Sequence, residues 1–404
     1  MYFDLQYYGR VLAHVWSLKG WKGRPRMLLR LLVLVPLATV FHTLCFLLDY
    51  VLFPRLWRQQ VQRPVFIVGH ARSGTTLAHR LLAGDGDTFS YFLYWELFFP
   101  SLLQKKVIRA LGRVDAWLGG HCKKKLVAWD DKTFGRYRHI HNMSLWNAEE
   151  DQFVMRAAFV TQQWALDVPL MHKIDQFHVD AMPERKRRRW LRHYRECVKR
   201  QLLLNGGDGI HLSKNPLMCG WVGALIETFP DARIAVMVRN PHQCIPSTLR
   251  LLEVTWKGKG WTRAQYDESL RAMTEIAFES FHHPRQVLAA HPDTPQIFVD
   301  YRDITAQPRA TVQAMYQALQ LPMTLAFDAW LQQQEERERS HQGRFEYSID
   351  DYELSPARIE QELDELFTLY DWPRQAAVTD SASAAGDSTA TPATTTTPIK
   401  GVSA

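Results

Sequence analysis

The feature that most constrains this chain is "VFIVGHARSGTTLAHRLL", residues 65 to 82. Five apolar residues of strand type run into a turn bracketed by Gly69 and Gly74, and a helical pattern follows. Glycines let the backbone curl so that successive N–H groups point inward. The helix that begins near Thr75 adds its positive N-terminal end. The segment predicts an anion-binding loop between a buried strand and a helix.

The glycine spacing matches a Walker A loop, but Thr75 stands where an ATPase carries its lysine. Arg72 supplies a cation from inside the loop instead. The loop therefore suits a 5′-phosphate bearing one more group, not a magnesium-bound triphosphate. Ser73, Gly74, Thr75 and Thr76 are its expected ligands. A second motif, "PDARIAVMVRNPHQCIPSTLRLL" (230 to 252), reads as a strand ending at Arg239, a turn, and a helix bearing Ser247. A guanidinium and a hydroxyl at this spacing can converge on a second phosphate, distant from the first along one ligand. An arginine pairing with a carboxylate at the sheet edge is the plainer alternative.

Around these motifs the pattern is α/β. Strands are expected at 65–69, 209–214, 232–239 and 296–301, with helices between them. The fold class is a P-loop-like parallel sheet flanked by helices, with an N-terminal membrane-associated helical segment. Residues 1–60 form that segment. Residues 61–375 are the catalytic domain, and 376–404 an Ala/Thr/Ser-rich tail too polar to bury a core. The segment carries "LLVLVPLATVFHTLCFLL" (31 to 48), with no Asp, Glu, Lys or Arg and with basic flanks on both sides. It either spans or lies in one leaflet, or packs on the domain as a buried helix. Trp16, Trp21 and Trp57 are its expected interfacial anchors. The run "ERKRRRWLRHYRECVKR" (184 to 200) reads as an amphipathic helix, with Trp190, Leu191, Tyr194 and Val198 on one face.

With 404 residues and 46% hydrophobic content the chain can bury a large core. A formal net charge of +7 suits an anionic ligand or membrane surface. Nothing resembles a nucleic-acid module. Five cysteines, in no metal or disulfide spacing, read as reduced thiols.

At these motifs the chain resembles the sulfotransferase superfamily, in particular the broad group whose loop reads "FIVGxxRSGTTL", which includes bacterial members and is akin to the tyrosylprotein sulfotransferases. "HLSKNPL" (211 to 217), "VDYRDITAQP" (299 to 308) and "YSIDDYELSPARIEQEL" (347 to 363) are similar to further elements of that group. The resemblance covers roughly residues 64 to 372, judged by motif order. It implies 3′-phosphoadenosine-5′-phosphosulfate as co-substrate, with Arg72, Ser73, Gly74, Thr75 and Thr76 on the 5′-phosphosulfate and Arg239 and Ser247 on the 3′-phosphate. No metal is expected. Sulfuryl transfer is an in-line displacement governed by positioning and charge stabilisation. The general base is assigned to Glu96, by its place after the loop. Arg72 and Lys214 are assigned to charge stabilisation. Rival bases are His139, His141, Glu149, Glu150 and Asp151. The trio Glu149, Glu150 and Asp151 can equally be a helix N-terminus bearing acidic charge.

The expected function is sulfuryl transfer to a hydroxyl acceptor, lipid-linked or amphiphilic, at the cytoplasmic face of a bacterial membrane, with the Golgi lumen as the alternative. A P-loop kinase or NTPase is the rival enzyme, and a non-catalytic nucleotide-binding membrane adaptor the rival outside catalysis.

Overall fold

The computed structural model describes residues 1–135, 143–338 and 354–375. His139, His141, the tail from 376, and part of the 347–363 segment lie outside these residues.

Five strands form one sheet: β1 Val65–Gly69, β2 Phe89–Ser90, β3 Ile210–Lys214, β4 Arg233–Val238 and β5 Gln296–Asp300. Their order is β2-β3-β1-β4-β5, and every pairing is parallel. Four of the strands fall where the hydrophobic runs predict them. The two-residue edge strand β2 has no such run and was not expected. Each buried strand serves two cores by its period of two. Phe66 and Val68 face one cluster with Ile234 and Val236. Val65 and Ile67 face the other with Leu212, Ala235 and Met237. All strands being parallel, the C-terminal ends of β1, β3 and β4 share one edge. They deliver Gly69, Lys214 and Arg239 to it, where ligands bind in open α/β sheets.

Residues 1–60 do not stand apart from this domain. The helix Leu5–Ser17 buries Tyr7, Val11 and Val15, one every turn, in the main core. Asp4 caps it by accepting from Tyr7 N at 3.0 Å, and also accepts from Trp190 Nε1 at 3.0 Å. Trp21 is not an interfacial anchor: its ring stacks on Trp261 at 4.0 Å and is buried. Trp16 and Trp57 are exposed.

The uncharged run lies in a continuous helix, Arg24–Leu52, of 29 residues. Among the described residues it is the helix long and apolar enough to cross a membrane. It runs through Pro36: the missing N–H there is absorbed by a π-helical turn at Arg30–Leu34, with Val35 N bonding Arg30 O. Its outer face exposes Leu37, Val40, Phe41, Leu44 and Leu48. Its inner face is pinned to the domain. Asp49, fully buried, accepts from Ser101 Oγ (2.8 Å), Leu102 N (3.0 Å), Leu103 N (2.8 Å) and Arg200 Nε (2.8 Å). One carboxylate thus caps the helix Leu102–Trp117 and neutralises a buried guanidinium. The helix is neither free nor enclosed: one face belongs to the core and the other is apolar and bare. The neighbouring helix Leu102–Trp117 packs on it and continues the bare face with Leu111, Val114 and Trp117.

The basic run forms the helix Glu184–Leu204, with Trp190, Leu191, Tyr194 and Val198 buried as expected.

Candidate active site

The loop begins where β1 ends. Gly69 sits at φ +140, and a Cβ there would lie 2.2 Å from Met237 O on β4. Only glycine lets the chain leave the sheet at this point. Arg72 takes φ 69, and Gly74 takes φ 94 directly before the helix Thr75–Ala83. A Cβ on Gly74 would meet the Tyr301 ring at 2.6 Å. The turn so formed aims the first N–H groups of the helix, which have no intrahelical partner, at the C-terminal edge of the sheet. Ser73 is buried, and its Oγ has no partner among the described residues. Thr75 is buried and Thr76 exposed. His70 stacks on Phe281 with ring centroids 5.3 Å apart. Burial pushes its pKa down to about 4. It packs the loop from behind as a neutral ring.

The second motif meets the first at Arg72. Arg72 Nε donates to Ser247 Oγ at 3.2 Å. Arg239 donates to the Arg72 carbonyl at 3.1 Å. The Arg239 guanidinium also lies over the Tyr301 ring, 4.2 Å from its centroid. Arg72, Arg239 and Ser247 therefore form one cluster. The Arg72 backbone belongs to the loop, while its guanidinium reaches the helix Pro241–Gly258 that carries Ser247. Sequence spacing gave no sign of that second role.

Lys214 ends β3 in register with Ile67 of β1. It is fully buried, and its Nζ donates to Glu149 (3.1 Å) and Glu150 (3.0 Å). Burial works against its charge, but the two carboxylates outweigh that and raise its pKa above the ordinary lysine value. Glu149 is buried, while the Glu150 side chain keeps 24% of its surface exposed. The acidic trio does start a short 3₁₀ helix, Asp151–Ala158, so the helix-start reading of it holds. It also reaches β3. Asp151 is held by His211 (2.8 Å), Ser213 (3.0 Å), Tyr194 and Asn215. Burial favours its neutral form, yet the partners, His211 foremost, bring its pKa below the ordinary value. This network locks Glu149 and Glu150 in place beside Lys214.

His79 completes the neighbourhood. It lies one turn after Thr75 on the same buried face of the loop helix. Burial, and then the Lys214 charge, push its pKa down to about 3. Its Nε2 has no partner among the described residues. The i, i+4 spacing from Thr75 was the available signal for it, and its chemistry was not read. A cleft of about 450 Å³ runs along this helix, lined by Thr76, His79, Arg80, Tyr91, Asn147 and Ala148.

Glu96 is placed elsewhere. Its carboxylate accepts from Leu93 N (3.0 Å), Gln201 Nε2 (2.7 Å) and Arg109 (2.8 Å), and the side chain is fully buried. Those partners cap a short helix and tie it to Glu184–Leu204. None of them belongs to the loop.

The residues fit a doubly phosphorylated nucleotide: a loop with an orphaned buried hydroxyl, a free helix start, and two guanidiniums with a serine beside it. This is the architecture of an α/β protein with a glycine-bracketed loop at the centre of a parallel sheet, where such folds bind anions. A model described as the Sulfotransferase family matches residues 64–325, and the chain belongs to that family. Over 264 residues it is 24% identical to omega-hydroxy-beta-dihydromenaquinone-9 sulfotransferase Stf3 of Mycobacterium bovis, and equally to the protein of that name from Mycobacterium tuberculosis. The match covers 64% of this chain and 63% of each of those curated relatives. The fold is similar to the crystal structure of sulfotransferase STF9 from Mycobacterium avium, with TM-score 0.67, 17% identity, and 92% and 93% of the two chains covered. It is also similar to STF1 from Mycobacterium tuberculosis H37Rv, with TM-score 0.63, 18% identity, and 88% and 91% covered.

Proposed function

We propose that the protein transfers a sulfuryl group from 3′-phosphoadenosine-5′-phosphosulfate to the hydroxyl of an amphiphilic, lipid-like acceptor. The observation that carries this reading is Lys214 held between Glu149 and Glu150 at the strand end beside the loop. Sulfuryl transfer breaks the bond between sulfur and the phosphate oxygen, forms one to the acceptor oxygen, and releases the acceptor proton. Ser73, Thr75, Thr76 and the N–H groups from Gly74 onward bind the 5′ end. Arg239, Ser247 and the Arg72 side chain bind the 3′-phosphate. Lys214 stabilises charge on the leaving phosphate. The proton goes to Glu150, the more accessible of the two carboxylates on Lys214. This assignment replaces Glu96, whose oxygens are enclosed by Arg109, Gln201 and Leu93. Glu96 serves as a structural cap and clamp.

The lipid-like acceptor is supported by the name of the Stf3 relatives and by the bare apolar face of the Arg24–Leu52 helix. That face rests on a membrane and brings the site near lipid hydroxyls. The deciding experiment supplies radiolabelled sulfuryl donor and long-chain primary alcohols in detergent. Label in the alcohol supports the reading. Transfer to no hydroxyl lipid, with ATP bound as well as 3′,5′-adenosine bisphosphate, overturns it.

A further inference from the structure

The apolar helix meets the domain across a gap rather than a seam. A cavity of about 200 Å³ lies between them, open on one side. One wall is the helix, with Leu34, Val35 and Ala38. The other is Phe153, Val154 and Ala157 of the Asp151–Ala158 turn. Trp164 closes one end, its ring flanked by the guanidiniums of Arg30 (5.1 Å) and Arg156 (4.7 Å).

Two features distinguish this cavity from a packing fault. It adjoins the acidic segment along the chain. Its far wall starts immediately after Glu149 and Glu150, the carboxylates on Lys214. Tyr94 also lines it, and its segment bonds the acidic one, Tyr94 N to Asn147 O at 2.9 Å and Glu149 N to Phe92 O at 3.2 Å. Most of its polar side chains are, moreover, already engaged, with Thr39 Oγ1 left without a partner among the described residues. Arg30 and Arg156 pair with Asp167, Gln163 accepts from Arg156, and His42 bonds Gln104. A polar ligand would find few free partners here and would lose its hydrogen bonds to water. An aliphatic chain loses nothing. Its route in is the same helix, whose outer face is bare and apolar.

We propose that this cavity receives the aliphatic chain of the acceptor and holds it so that the terminal hydroxyl passes Tyr94 to reach Glu150. The inference rests on the sulfotransferase reading of the site, and it assigns that site its chain-binding half. The Arg24–Leu52 helix is then a wall of the substrate site as well as a membrane contact. Acceptors are selected by the length and thinness of their chain.

The test separates the two readings by using binding as well as turnover. Full-length protein in detergent is irradiated with hexadecanol carrying a mid-chain diazirine, and the labelled peptides are mapped by mass spectrometry. Label is expected on residues 153–164 as well as on 34–42. Ala38→Trp, which fills the gap from the helix side, is expected to abolish label on 153–164 and leave binding of 3′,5′-adenosine bisphosphate unchanged. Ala157→Leu repeats the test from the opposite wall. In turnover, Ala38→Trp is expected to raise KM for hexadecanol by ~10-fold while leaving butanol unchanged, as expected when only chain contacts are lost. Label confined to the exposed face of the helix, or equal effects on both alcohols, overturns the proposal. Absence of turnover with either alcohol, alongside label on 153–164, counts against the sulfotransferase reading and leaves the chain site standing.

Discussion

Arg72 Nε donates to Ser247 Oγ across 3.2 Å, joining a loop residue to a helix 175 positions later. The two motifs therefore share a cation, and on the proposed assignment Arg72 is coupled to the 3′ end as well as the 5′ end. Arg72→Ala and Arg239→Ala are each expected to weaken 3′,5′-adenosine bisphosphate by about 1.5–3 kcal/mol, the range for hydrogen bonds to charged groups. Adenosine 5′-monophosphate should lose much less. Calorimetry with both ligands checks this, and equal losses would count against the 3′-phosphate assignment.

Glu150→Gln is expected to lower kcat by ~10²–10⁴, the usual contribution of general-base assistance, with little change in melting temperature. Glu96→Gln should do the reverse. It weakens a buried, triply bonded carboxylate, so stability falls by about 1–3 kcal/mol and the turnover of folded protein persists. Kinetics and thermal unfolding on the same pair of variants decide it. A Glu96→Gln variant that is stable and inactive would restore Glu96 as the base.

The contrast between these two glutamates marks what the sequence could and could not tell. The loop, four of the strands, and the positions of Lys214, Arg239 and Ser247 at the strand ends and the following helix were legible because local spacing determines them: period-two apolar runs, glycines at a turn, a cation at a strand end. The assignment of Glu96 as the base rests on its place after the loop and on the family resemblance, not on any contact. Its actual partners, Arg109 and Gln201, come from two other helices, and no local pattern encodes that meeting. Asp49 was hidden for the same reason. It ends an apolar run and reads as a flank until Arg200, 151 positions later, arrives to pair with it.

Asp49→Ala leaves the fully buried Arg200 with Glu196 as its remaining carboxylate and uncaps the Leu102–Trp117 helix. Removing one partner of a buried pair costs about 3–5 kcal/mol. Deleting residues 1–60 removes Asp49 together with Tyr7, Val11 and Val15 of the main core. The truncated chain is therefore expected to be insoluble rather than a free catalytic domain. A soluble truncation that binds 3′,5′-adenosine bisphosphate would contradict this.

Three buried histidines tie stability to pH. Burial pushes His70 down to about 4, and His79 and His193 to about 3. The unfolded chain protonates each near pH 6.5, so between there and the lowered values it binds more protons than the native state. Stability must fall as pH falls, by about 1.4 kcal/mol per pH unit for each group. Urea unfolding from pH 7 to 5 checks this, and His193→Gln should flatten the slope by one group's share. An unchanged slope would place His193 outside the linkage.

Trp117 is 84% exposed on the bare face continued from the apolar helix. Trp117→Ser should reduce co-sedimentation with anionic vesicles and leave the turnover of detergent-dispersed acceptor unchanged. Undiminished vesicle binding would remove this helix from the membrane contact.

The most direct measurement is sulfate transfer itself, with radiolabelled donor, full-length protein, and vesicles containing a long-chain primary alcohol. The account predicts label in the lipid fraction at a rate unaffected by a metal chelator, with Lys214→Met and Glu150→Gln both lowering it severely. Label released as free sulfate or phosphate, or transfer that requires magnesium and survives both substitutions, would contradict it.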